Sequence, residues 1–202
     1  MENSHDPIVI IDPGHGGIDP GAVSAWGFPE SALNMAVAKL LVQSLSDLGT
    51  KAVLTRYSDR ELAPERRCAI ANHIYAKRRR SALFLSVHCN TSENLQANGF
   101  EVWTSPGITG ADRFATTIYH SVANSFQSSL AMRQCYLDGD PDKEAEYHVL
   151  IGTTMPAVLV ELAFLSNRED LRRLLNPVFQ KAMADALARG IQAGFIGSEE
   201  DL

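Results

Sequence analysis

The first sustained apolar run, Ile8 to Ile11, is β-branched throughout and unbroken by polar residues, which predicts a strand buried on both faces in the middle of a parallel sheet. It stops at Asp12-Pro13 and empties into Gly14, His15, Gly16 and Gly17, a loop that leaves nothing bulky beside the imidazole. Pro29-Glu30 then opens a helix with apolar positions at Leu33, Val37, Leu40, Leu41, Leu45 and Leu48, closed by Gly49. Ala52 to Thr55 reads as the next strand, and an amphipathic helix runs from Pro64 through Ile70, Ala71, Ile74 and Tyr75. Leu83 to His88 and Phe100 to Thr104 are two further strands. Thr109 is placed to cap a helix with the stripe Phe114, Ile118, Val122 and Phe126. From Gln127 to Glu146 the pattern weakens to a short strand near Arg133 to Leu137 and a polar loop from Gly139. Ala157 to Val160 is a strand launched from Pro156. A short helix follows Asn167, and a long one runs from Pro177 through Phe179, Met183, Leu187 and Ile191 to Gly194.

Strands alternating with helices in this way predict an α/β fold, a single-domain three-layer sandwich around a mainly parallel, twisted sheet. Residues 1–7 read as an N-terminal extension, 8–196 as the domain, and 197–202 as a frayed acidic tail. A chain of 202 residues suits one sizeable domain, and 45% hydrophobic with 21% charged residues is ordinary for a globular protein.

Charge and composition exclude several classes. A net charge of −6 argues against nucleic acid as the main partner, since duplex binding requires a basic face. The basic run Lys77 to Arg80 reads as cations complementing a helix C-terminus rather than as a docking patch. No apolar stretch reaches the ~20 residues of a membrane span, and the leading MENSHDP has neither a basic nor an apolar region of a secretory signal. Cys68, Cys89 and Cys135 are odd in number and widely spaced, which fits neither a disulfide framework nor a thiolate metal site.

The predicted architecture turns scattered polar residues into a constellation, because ligands of open α/β sheets bind at the carboxyl ends of the strands. His15 follows the first strand, Glu30 opens the helix after it, His88 ends LFLSVH, and Glu161 ends AVLVE. Taken singly, Glu30 is a helix-dipole complement, His88 a core histidine and Glu161 a strand-end charge. Those readings do not predict that all four fall at one edge. Two histidines and one carboxylate leave a position open on zinc, as in a catalytic site, and free the second carboxylate to handle protons.

These segments resemble the zinc-dependent N-acetylmuramoyl-L-alanine amidases of the type 3 class (Amidase_3), which detach the stem peptide from the glycan of peptidoglycan. DPGHGGIDPGA from Asp12 to Ala22 resembles the family's first metal motif, and ESALNMAVAKLL from Glu30 its second. VLTRYSD and RCAIAN, within Val53 to Asn72, are similar to a family stretch, ALFLSVHCN resembles the third metal motif, and MPAVLVELAFLSN from Met155 to Asn167 resembles the catalytic segment. The resemblance covers Ile8 to about Phe195 and implies one Zn²⁺ per chain on His15, Glu30 and His88. Glu161 is then the general acid/base that takes the water proton and passes it to the leaving nitrogen. Asp12 and Asn34 become candidates to orient a ligating histidine or the loop, and Asn90 and Glu101 to line the cleft. Cys89 and Ala163 replace the expected alanine and glycine. Only the short loop from Thr91 to Gly99 follows His88, where some similar members insert a helix that plugs the site, so an open cleft is expected.

Three rivals remain at this stage. A zinc carboxypeptidase acting on the stem peptide would need a cationic clamp, and no arginine is clearly placed for one. A cysteine amidase would pair Cys89 with His88, but strand neighbours point to opposite faces unless a bulge intervenes. An inactive wall-binding homologue would not need all four residues. The expected partner is peptidoglycan or muramyl peptides, acted on in the periplasm or outside the cell by a monomer. Release of a phage-type lysin or loss of a leader would account for the missing signal.

Overall fold

The computed structural model describes residues 7–78, 81–137 and 139–196. Nearly all of the expected N-terminal extension, Arg79 and Arg80 of the basic run, and the acidic tail lie outside them. The elements in order are β1 (Ile8–Pro13), α1 (Glu30–Asp47), β2 (Lys51–Leu54), α2 (Pro64–Arg78), β3 (Ala82–Asn90), β4 (Glu101–Thr104), α3 (Asp112–Phe126), β5 (Lys143–Glu144), α4 (His148–Ile151), β6 (Ala157–Phe164), α5 (Arg168–Leu174) and α6 (Pro177–Ile196).

All six strands join one sheet in the order β2-β1-β3-β6-β4-β5. β1, β2, β3 and β6 run parallel to one another, whereas β4 is antiparallel to β6 and carries β5 parallel to itself at the edge. Strand periodicity then splits the core in two. Val9, Ile11, Leu85 and Val160 point into a large cluster beneath α1, α3, α5 and α6. Ile8, Ile10, Phe84 and Leu159 point into a smaller one with side chains of α2 and α4. β1 is buried along its whole length, as its unbroken apolar run requires. The result is the predicted three-layer sandwich, with a sheet that is mixed at one edge.

Three local expectations fail. α3 begins at Asp112 rather than next to Thr109, because the Thr109 hydroxyl serves a turn ahead of the helix. It accepts from the Ala111 amide at 3.1 Å and donates to the Asp112 carboxylate at 2.9 Å. No strand forms over 133–137; only Met132 bridges to Phe100, since the next stretch of the β4 edge is already paired with β5. β5 lies instead within the expected polar loop, as a Lys-Glu pair with no hydrophobic signal.

The register fixes what meets at the carboxyl edge. His88 on β3 pairs with Glu161 on β6, and Glu161 pairs with Glu101 on β4. α1 starts immediately beyond the β1 loop, so Glu30 reaches the same edge. Residues 91–99 form turns without a helix, as an open cleft requires.

Candidate active site

His15 sits on the loop leaving β1 with φ of 60°, a conformation costly for a non-glycine residue and one that has to be imposed by its surroundings. Two buried arginines impose it through the carbonyls of the loop. Arg67 donates to Pro13 O and His15 O, each at 2.8 Å, and Arg56 donates to Pro13 O at 2.9 Å and Gly14 O at 3.0 Å. Asp12, fully buried, accepts from Arg67 at 2.9 Å, Ser86 at 3.1 Å and the Thr55 hydroxyl. Asp12 therefore braces the loop and touches neither imidazole.

The imidazole itself is oriented by Asp19, whose Oδ2 lies 2.8 Å from His15 Nδ1, and this leaves Nε2 facing Glu30 Oε2 at 3.3 Å. A carboxylate on the far nitrogen is the common way to fix the tautomer of a ligating histidine. Glu30 is the hub of the cluster. Its Oε1 meets His88 Nδ1 at 2.9 Å, the Asn34 amide at 3.1 Å and the Cys89 backbone N–H at 3.2 Å, and its Oε2 accepts from Ala22 N at 3.0 Å. Asn34, one helical turn along α1, also donates to Gly14 O at 3.3 Å, so it supports Glu30 and the loop rather than an imidazole.

One ligating atom each from His15, Glu30 and His88 lie within 4.8 Å of one another, with the two rings edge to face at 5.0 Å. The neighbouring backbone leaves no room for side chains. A Cβ at Gly14 would stand 2.2 Å from the His88 ring, and one at Gly21 would stand 2.6 Å from both Glu30 Oε2 and the His15 ring. Both histidines are only partly buried, so the cluster opens to solvent through a cleft of about 260 Å³ lined by Leu62, Arg67, Tyr147 and Glu161 among others. A larger cavity of about 560 Å³ between Thr109 and Thr154, at the opposite end of β6, gathers none of these groups.

Glu161 is half-buried on the cleft wall, and its buried Oε2 has no hydrogen-bond partner among the described residues. Burial pushes its carboxyl well above the usual range, and the negative charges of Glu30 and Glu101 push it further. Glu30 behaves oppositely: burial favours the acid, but the bonds to His15 and His88 prevail and hold it far below the carboxylate range. The His15 imidazole is raised, chiefly by its hydrogen bond to Glu30 and despite partial burial. Two imidazoles around an ionised carboxylate, with Asp19 behind and Glu161 beside them, make a donor set and a field suited to a cation.

The structure thus brings His15, Glu30, His88 and Glu161 together and puts Asp12 and Asn34 directly behind them. Asn90 and Glu101 do not line the cleft; Asn90 instead donates to Glu101 at 3.2 Å, and Glu101 is buried beneath other side chains. Asp19, Arg56, Arg67 and Tyr147 were not anticipated. The arginines left a trace in the sequence, since Arg56 directly follows the strand expected from Ala52 to Thr55 and Arg67 lies four residues before Ala71 on the buried stripe of α2.

Cys89 excludes itself as a nucleophile. The β3–β6 register does shift between His88 and Asn90, yet the thiol still packs into the large core cluster on the opposite face. Burial raises its thiol well above the ordinary value, with Glu30 and Glu161 adding to the effect. Cys89→Ala is therefore expected to keep turnover within about threefold, with any loss arising from the small cavity left behind. A loss as large as that of His88→Ala would restore the cysteine mechanism.

The chain also matches known proteins in sequence and in fold. The sequence model of the N-acetylmuramoyl-L-alanine amidase family matches residues 9–193. The sporulation-specific N-acetylmuramoyl-L-alanine amidase of Bacillus subtilis is 32% identical over 189 residues, 93% of this chain and 68% of that protein. N-acetylmuramoyl-L-alanine amidase AmiC of Neisseria meningitidis is 28% identical over 94% of this chain, which spans about half, 53%, of the relative's length. Among solved structures, N-acetylmuramoyl-L-alanine amidase AmiC2 of Nostoc punctiforme superimposes with a TM-score of 0.80 at 28% identity, covering 95% of this chain and 97% of that one. With the matched region running from β1 into α6 and taking in all four converging side chains, the chain belongs to the N-acetylmuramoyl-L-alanine amidase family.

Proposed function

We propose that this amidase hydrolyses the amide between the lactyl group of N-acetylmuramic acid and the L-alanine of the stem peptide, with one zinc ion held by His15, Glu30 and His88 and with Glu161 moving the protons. The observation that carries the reading is a division of labour at one edge of the sheet. Three side chains converge as ligands, while a fourth, Glu161, stands apart from them with an unbonded carboxylate oxygen. Two imidazole nitrogens and one carboxylate match the donor set of zinc sites that keep a position open for water or substrate. When bound, zinc supplies Lewis acidity toward the scissile carbonyl and lowers the pKa of water.

The chain's own residues do the remaining work. Asp19 and the two arginines hold His15 in place, and Asn34 with the Ala22 and Cys89 amides fixes both oxygens of Glu30. Glu161 accepts the proton of the attacking water and returns it to the departing nitrogen of L-alanine. The open cleft admits a polymeric substrate, and because peptidoglycan lies outside the cytoplasmic membrane, the enzyme acts in the wall compartment. Among the described residues no helix is long and apolar enough to cross a membrane.

The test is to incubate the zinc-loaded protein with a muramyl peptide and weigh the products. A lactyl-bearing sugar together with an intact peptide beginning at L-alanine is the expected result. A peptide shortened only at its carboxyl end would show a carboxypeptidase, and no cleavage would leave the wall-binding alternative standing.

A further inference from the structure

One cluster of charges is not used by this mechanism, and it lies on the far side of Glu161 from the ligands. Glu101, the first residue of β4, is the register partner of Glu161 across an antiparallel pair, which sets the two side chains on one face about 5 Å apart at Cβ. Glu101 is 2% exposed, yet it collects Arg133 Nε, Lys143 Nζ at 3.0 Å, Asn90 Nδ2 at 3.2 Å and Trp103 Nε1 at 3.2 Å. One carboxylate is thus matched by two cations, beside Glu161 on the cleft wall.

Arg133 uses only Nε on Glu101. Its two Nη nitrogens bond to no described residue, its side chain is 40% exposed, and its guanidinium is propped over the Phe164 ring at 5.1 Å. Lys143 is likewise set over the Trp103 ring at 5.1 Å, and Trp103 contacts Tyr147, which lines the cleft. An outward pair of guanidinium nitrogens, already positioned by a buried carboxylate, is the geometry that receives a second carboxylate in a two-pronged bond.

The strand order gives this cluster a direction. Along the carboxyl edge come the ligands at β1 and β3, then Glu161 on β6, then Glu101 and Lys143 at the starts of β4 and β5. Glu161 must face the nitrogen it protonates, and that nitrogen belongs to the peptide, so what lies beyond Glu161 faces the peptide too. Two strand spacings are about 10 Å, and an extended peptide covers about 3.5 Å per residue. A carboxylate on the second or third residue of the stem reaches that far.

We propose that Arg133 and Lys143, gathered on Glu101, form a subsite for a carboxylate of the stem peptide on the leaving-group side of the scissile amide. The proposal rests on the reading of Glu161 given above. In peptidoglycan the second residue is a glutamate joined through its side chain, so its α-carboxyl is present either as the free acid or as a carboxamide. The subsite selects the acid.

The experiment compares two muramyl peptides that differ only in that group. The kcat/KM of the zinc-loaded enzyme is measured on both, and their affinity for the Glu161→Gln protein is measured by calorimetry. The wild type is expected to prefer the carboxylate by about tenfold or more, as loss of a charged hydrogen-bond partner implies. Arg133→Met should bring the ratio near one, whereas Arg133→Lys and Lys143→Met should each keep part of it and guard against a fold defect in the first variant. An unchanged ratio in all three variants, or no preference in the wild type, would overturn the proposal and leave the cations as counter-charges for Glu101. Should no cleavage between sugar and alanine occur on either peptide, the proposed function fails, and the binding ratio alone still decides the subsite.

Discussion

Glu161→Gln is expected to lower turnover by about 10²–10⁴-fold while leaving the protein folded and its zinc in place, because positioned acid–base groups contribute rate factors of that order. The substitution is nearly isosteric, and the backbone of Glu161 stays paired with His88 and Glu101. It also removes a carboxyl whose buried Oε2 has no partner to lose. None of the side chains that hold His15, Glu30 or His88 bonds to Glu161. Thermal stability should hold or rise, since a carboxyl made uncomfortable by burial and by two like charges is replaced by a neutral amide. Turnover and zinc content measured on one preparation check this together. Near-normal turnover would end the general-base role.

Glu30→Gln is expected to fail in a different order, losing zinc first and activity as a consequence. Glu30 accepts on both oxygens: His88, Asn34 and the Cys89 amide on one, His15 and the Ala22 amide on the other. A glutamine turns one of those acceptors into a donor facing N–H groups, so at least one buried amide is stranded at about 1–3 kcal/mol. It also removes the negative charge from between the imidazoles. Zinc affinity should therefore fall by more than the ~10–100-fold that loss of an outer partner costs, with a lowered melting temperature even before metal is added. Competition against a coloured chelator measures the affinity. If Glu30→Gln kept its zinc while Glu161→Gln emptied the site, the two glutamates would have to exchange roles.

The sequence carried the fold and the four principal residues for one physical reason. Each of these residues ends or follows an apolar strand or opens a helix, so its position along the chain is also its position at the edge of the sheet. The roles of Asp19, Arg56 and Arg67 were hidden, whatever trace the arginines left, because their work is done through space, on loop carbonyls and a ring nitrogen whose places depend on the finished fold. β5 and α4 have two and four residues, too short for any periodicity to register. That is why Arg133, Lys143 and Tyr147 could not be placed: the first two meet on Glu101 only once β5 has joined β4. Glu101 was expected to line the cleft, and two cations cover it instead.

The most direct measurement of the central claim is anomalous diffraction at the zinc edge from crystals of the zinc-loaded protein. A single peak is expected, bonded to one nitrogen each of His15 and His88 and to a carboxylate oxygen of Glu30, at the ~2.0–2.2 Å typical of zinc, with the Glu161 carboxylate outside bonding distance. A peak elsewhere in the molecule, or one that takes Glu161 as a ligand in place of any of the three, would contradict it.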